Sequence, residues 1–136
     1  MTKATIKAIL LISLMASGFN ALAANANKEL INNTLETLRL SINAHDYAML
    51  KPLLDDDFSY QGRGSMMSTM IMRQIVEDYP QQVSAINVIS IKSADGGWTV
   101  DLRLEGKASA SQRQVTISED YLILRADLAD IQIIGH

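Results

Sequence analysis

The sequence has 136 residues, 48% hydrophobic and 20% charged, with a formal net charge of −3 and no cysteine. This balance suits one globular domain and excludes a disulfide framework, a thiol nucleophile and a lipidated cysteine. It also speaks against a nucleic-acid partner, because Arg39, Arg63, Arg73, Arg103, Arg113 and Arg125 are scattered among acids and form no basic stripe for a phosphate backbone.

In chain order, the first element is a predicted secretory signal. Lys3 and Lys7 precede a largely apolar run from Ala8 to Met15, and small residues follow, ending in Ala21-Leu22-Ala23. The run is shorter than the roughly 20 residues that span a bilayer, which favours cleavage over a retained anchor. Cleavage is expected after Ala23, with Ala24-Asn25-Ala26 as a second cut. Residues 24–136 would then form a single domain in a bacterial periplasm or outside the cell, without a membrane anchor. Losing both lysines and no acid makes that domain more acidic than the whole chain.

From Lys28 to Asn43, the spacing of Ile31, Leu35, Leu38 and Ile42 predicts an amphipathic helix. Asp46 is placed to cap a short helix carrying Tyr47, Leu50, Leu53 and Leu54, with Pro52 in a first turn or at a break. Asp55-Asp56-Asp57 reads as a solvated turn, and Phe58-Ser59-Tyr60 as a short strand closed by Gln61-Gly62-Arg63-Gly64. Ser65 or Ser68 would cap a third helix with a stripe of Met67, Ile71, Ile75 and Tyr79, ended by Pro80.

Beyond Val83 the period changes to two. QVSAINVISIKS, the turn ADGG and WTVDLRLEG predict a hairpin, with Trp98, Val100, Leu102 and Leu104 on one face. RQVTISEDYLILR and, after Ala126-Asp127, LADIQIIGH complete a meander of about four strands. Helices followed by a meander predict an α+β layer, with the helices on one face of an antiparallel sheet.

The run LRLSINAHDYAMLKPLLDDDFSYQG resembles the opening of the nuclear transport factor 2-like superfamily, also called SnoaL-like or cystatin-like. The resemblance implies N-terminal helices packed on a curved antiparallel sheet, forming a cone with a pocket. It further implies a small apolar or amphipathic ligand, or an association module such as a homodimer through the sheet. The alternative it carries is an isomerase or dehydratase acting in the cone. The residues expected to line the pocket are Tyr60, Met67, Ile71, Trp98 and Tyr121.

No catalytic set, metal site or cofactor emerges from the residues themselves. An isomerase needs a carboxylate of tuned pKa beside a hydrogen-bond donor. Tyr47, Tyr60, Tyr79 and Tyr121 are donors in supply, and Asp57 or Asp101 would be the base. Asp57 follows two like charges in a hydrated segment, and Asp101 falls on the strand face opposite Val100 and Leu102. His45 sits at a helix junction and His136 is the last residue, so no His–acid pair is readable. Met66, Met67, Met70 and Met72 crowd into two turns. Soft thioethers suit Cu(I), but the stripe through Met67 and Ile71 reads as core or pocket lining.

Overall fold

The structure, a computed structural model, describes residues 12–128, with side chains from residue 26 onward. The elements are α1 (Ile12–Ala44), α2 (Tyr47–Leu50), a 3-10 turn (Lys51–Leu53), β1 (Leu54–Tyr60), α3 (Ser65–Asp78), β2 (Val83–Ala94), β3 (Gly97–Gly106), β4 (Ala110–Ser118) and β5 (Ile123–Asp127). The chain divides into two units, Met1–Leu30 and Ile31–His136. Among the described residues, no helix is long and apolar enough to cross a membrane. The predicted signal, apart from the helical course from Ile12, and the predicted last strand beyond Leu128 lie outside the described residues.

In the second unit, Ile31, Leu35, Leu38 and Ile42 are all buried, as their four-three-four spacing predicts. The helix stops in a Schellman arrangement. The amide of His45 donates to the Ile42 carbonyl at 3.1 Å and that of Asp46 to the Ser41 carbonyl at 3.0 Å, while His45 takes a positive φ of 54°. A glycine usually fills this left-handed position. Asn43 fixes the helix to the sheet, accepting from the Val83 amide at 2.7 Å and donating to the Val83 carbonyl at 2.9 Å. Asp46 then caps α2, accepting from the Ala48 amide at 3.1 Å. Pro52 falls in the first turn of the 3-10 segment.

The sheet has the order β1-β5-β4-β3-β2, with β2 to β5 as an antiparallel meander and β1 parallel to β5. It is therefore mixed rather than wholly antiparallel, because α3 and the meander carry the chain round before β5 returns beside β1. A second correction concerns the acids. Asp55, Asp56 and Asp57 lie inside β1 where its pairing with β5 is irregular, with more residues on β1 than on β5 between the pairs Leu54–Ile123 and Ser59–Arg125. They form a bulge, not a turn, and the Asp55 carboxylate accepts from the Asp57 amide at 2.8 Å. They remain solvated, with Asp56 and Asp57 exposed.

A third correction concerns α3. Its buried residues are Ser68, Met72, Ile75 and Val76, followed by Tyr79, whereas Met67 is 54% exposed and Ile71 only partly buried. Positions four apart drift by about 40° per step on a helix of 3.6 residues per turn, so the stripe through Met67 slides off the core face. The true stripe was disguised by its polar member. Ser68 is buried because its hydroxyl accepts from the Tyr60 amide at 2.8 Å and donates to the Arg63 carbonyl at 3.0 Å. Gly64, not a serine, holds the N-cap position.

The predicted hairpin is present, with Asp95-Gly96 between β2 and β3 and Gly96 at φ 74°. Gly97 starts β3 against β4, and a Cβ there would collide with the Ile117 carbonyl. Val100, Leu102 and Leu104 are buried on the predicted face, and Val115 and Ile117 continue that face on β4. The segment read as one strand, 113–125, is broken instead. The chain turns between β4 and β5, where the Tyr121 amide donates to the Ser118 carbonyl at 2.8 Å and Tyr121 takes a φ of 61°.

Candidate functional site

Two serines hold α3 on β1. Besides Ser68, Ser65 donates from its hydroxyl to the Asp56 carbonyl at 2.9 Å. This clamp sets α3 beside the β1 bulge, and α2 with its 3-10 turn closes the third side. The result is a cleft of about 380 Å³. Tyr47, Leu54 and Met70 give it an apolar wall. Lys51 and Arg73 provide cations, Asp55 and Asp56 carboxylates, and Thr69 a hydroxyl. A second cleft, of about 340 Å³, shares Tyr47, Lys51 and Arg73 and extends to His45 and Glu77.

Several of these charges are already engaged. Arg73 Nε donates to Glu77 Oε2 at 3.1 Å one turn along α3. The Asp46 and Asp55 carboxylates serve backbone amides. By contrast, the side chains of Lys51 and Asp56 make no hydrogen bond or ion pair among the described residues. The cleft thus presents one uncommitted charge of each sign beside an apolar wall. Burial pushes the Tyr47 phenol above its ordinary pKa, with the Arg73 charge opposing, so it is a neutral donor at physiological pH.

None of the five residues expected to line a common pocket lines either cleft. Tyr60 is 2% exposed, and its hydroxyl is fully buried. Burial pushes this phenol up to about 12, the Asp127 carboxylate adds to the shift, and the Leu128 backbone, Arg113 and Arg63 oppose it. Trp98 and Tyr121 do come together, stacked at 5.4 Å between ring centroids and 21° between planes. Met67 faces solvent and Ile71 lies at the margin of the core. The cleft residues escaped sequence reading because α2, the bulge and α3 each contribute ordinary surface side chains. The one available signal was Tyr47, an aromatic in the first turn of a helix too short to bury it alone.

The placements of Asp101 and His45 agree with the sequence. Asp101 accepts from Gln114 at 2.8 Å and Ser90 at 2.9 Å on the polar face of the sheet, and these hydrogen bonds, Gln114's first, hold its carboxyl below the ordinary range. His45 is exposed at the α1–α2 junction, with Nδ1 3.2 Å from the Val76 carbonyl. Among the described residues, the buried polar side chains are Thr34, Ser41 and Ser68, with no carboxylate among them. Nor do three or more His, Cys, Asp or Glu side chains gather there as a metal site.

No family model matches the chain, and no curated protein matches it either. Solved structures are similar. A DUF4783 family protein from Bacteroides ovatus is 17% identical with a TM-score of 0.47, over 67% of this chain and 89% of that one. A nuclear transport factor 2-like protein of unknown function from Burkholderia xenovorans is 16% identical with a TM-score of 0.45, over 74% of this chain and 82% of that one. A candidate ketosteroid isomerase from Kribbella flavida is 15% identical with a TM-score of 0.46, over 73% of this chain and 76% of that one. At such identities and TM-scores these likenesses assign neither family, ligand nor reaction. Helices beside a five-stranded mixed sheet make an α+β arrangement.

Proposed function

We propose that this chain is an exported, non-catalytic domain that binds a small amphipathic molecule in the cleft between α2, the β1 bulge and α3. The observation that carries this reading is the pairing of an apolar wall (Tyr47, Leu54, Met70) with the uncommitted charges of Lys51 and Asp56. Most ligand sites join an apolar surface to a few placed polar groups that fix orientation. Charges of both signs favour a zwitterionic head over a simple acid or amine, since either of the latter meets a like charge on the same wall.

The isomerase or dehydratase alternative calls for a water-shielded carboxylate within reach of a tyrosine. Asp127, near Tyr60, is exposed and accepts from Gln61 at 2.9 Å. Association through the sheet would have to bury the charges of Asp101, Arg103 and Glu105 on its outer face.

Calorimetric titration with octylphosphocholine below its micelle concentration tests the binding reading. Saturable binding is expected, with Lys51→Ala weakening it by about tenfold, the worth of one charge-assisted hydrogen bond. Added salt should weaken it as well, because both charges are near solvent. No saturable binding, or equal affinity in the variant, would overturn the reading.

Export has its own test. Protein recovered from the host is expected to begin at Ala24, following the small-residue pattern that ends at Ala23. An intact Met1 or Thr2 terminus would contradict it.

A further inference from the structure

Four of the seven methionines lie within residues 66–72, and the structure separates them. Met72 is fully buried, whereas Met66, Met67 and Met70 are 80%, 54% and 62% exposed. Core packing therefore accounts for Met72 alone. The three exposed residues stand at i, i+1 and i+4 of α3, so Met70 is a helix neighbour of both others, and side chains three and four apart have Cβ atoms about 5–6 Å apart. Each thioether swings on three rotatable bonds. Met70 lies between the other two around the helix, so rotamer changes alone can bring its sulfur toward either neighbour.

We propose that Met66, Met67 and Met70 form a Cu(I)-binding site on the first turns of α3. Three neutral, soft thioethers with no imidazole or thiolate select Cu(I) over Zn(II) and over the hard cations. A monocation also suits the surroundings. The positive end of the α3 dipole disfavours a cation, but Asp55 and Asp56 stand on the cleft wall that Met70 shares and offset it. Ser65, donating to the Asp56 carbonyl, and Ser68, accepting from the Tyr60 amide, hold this turn to β1, so the ligand-bearing backbone is fixed before the ion arrives. This site goes beyond the amphipath reading and does not rest on it.

The test is an anaerobic titration in which wild-type protein and the Met66→Leu/Met67→Leu variant compete with bicinchoninate for Cu(I), read together with NMR of ε-methyl-labelled methionine. Wild type is expected to withdraw about one equivalent. The signals of Met66, Met67 and Met70 should shift while that of Met72 stays in place. The double variant, which keeps an apolar surface and one thioether, should bind at least about tenfold more weakly. Failure of wild type to withdraw copper, equal withdrawal by the variant, or shifts confined to other methionines would overturn the proposal.

Discussion

Truncating Phe58 to alanine is expected to lower the free energy of unfolding by about 3–5 kcal/mol, read as a shifted urea midpoint at unchanged slope. Phe58 is fully buried and is among the largest side chains in the core. It also sits on β1 directly after the bulge, where pairing with β5 is irregular. The ladder on that side is thin, so the ring, rather than backbone hydrogen bonding, anchors this edge strand. A loss below about 1 kcal/mol would mean that β1 is held by something other than its aromatic pair, Phe58 and Tyr60.

The second large effect separates two methionines five residues apart. Met72→Ala should cost about 2–5 kcal/mol, because it empties a fully enclosed position, whereas Met67→Ala should stay within about 0.5 kcal/mol. Comparable urea midpoints for the two variants would place α3 in the phase first read from the sequence, with Met67 on the core. The pair is a test of helix rotation, since both substitutions remove the same atoms.

The contrast between α1 and α3 shows why some of the fold was legible and some was not. In α1 the stripe of Ile31, Leu35, Leu38 and Ile42 is aliphatic and visible without knowing what it packs on, and the buried Ser41 beside it is satisfied within the helix, donating to the Leu38 carbonyl at 2.8 Å. In α3 the core face includes Ser68, whose burial depends on the Tyr60 amide and the Arg63 carbonyl. Those partners belong to other elements, and no local pattern reveals them. The hairpin at Asp95-Gly96 and the alternation of β3 were readable for the same reason as α1, because turn chemistry and side-chain period are local.

The Asp55–Asp57 bulge was hidden for the opposite reason. Three acids look like a solvated turn, and they are solvated, but their backbone geometry is set by pairing with a strand more than sixty residues away. The break of the segment 113–125 at Tyr121 was masked by Tyr121, Leu122 and Ile123, whose apolar character continues the strand pattern across the turn. The cleft lies at the meeting of these misread places: the bulge gives one wall and the rotated face of α3 another. A correct helix phase and a correct bulge are both needed before Arg73, Met70 and Asp56 face the same space.

In the proposed binding mode the ligand sits in that cleft rather than among the aromatic residues of the sheet. Amide chemical-shift mapping of the protein titrated with octylphosphocholine below its micelle concentration tests it most directly. Shifts are expected to concentrate at Tyr47, Lys51, Asp56, Thr69, Met70 and Arg73, with Trp98 and Tyr121 unmoved. Shifts centred on Trp98, Tyr121 and Tyr60, leaving α2 and α3 unmoved, would contradict it and return the site to the mouth of the sheet.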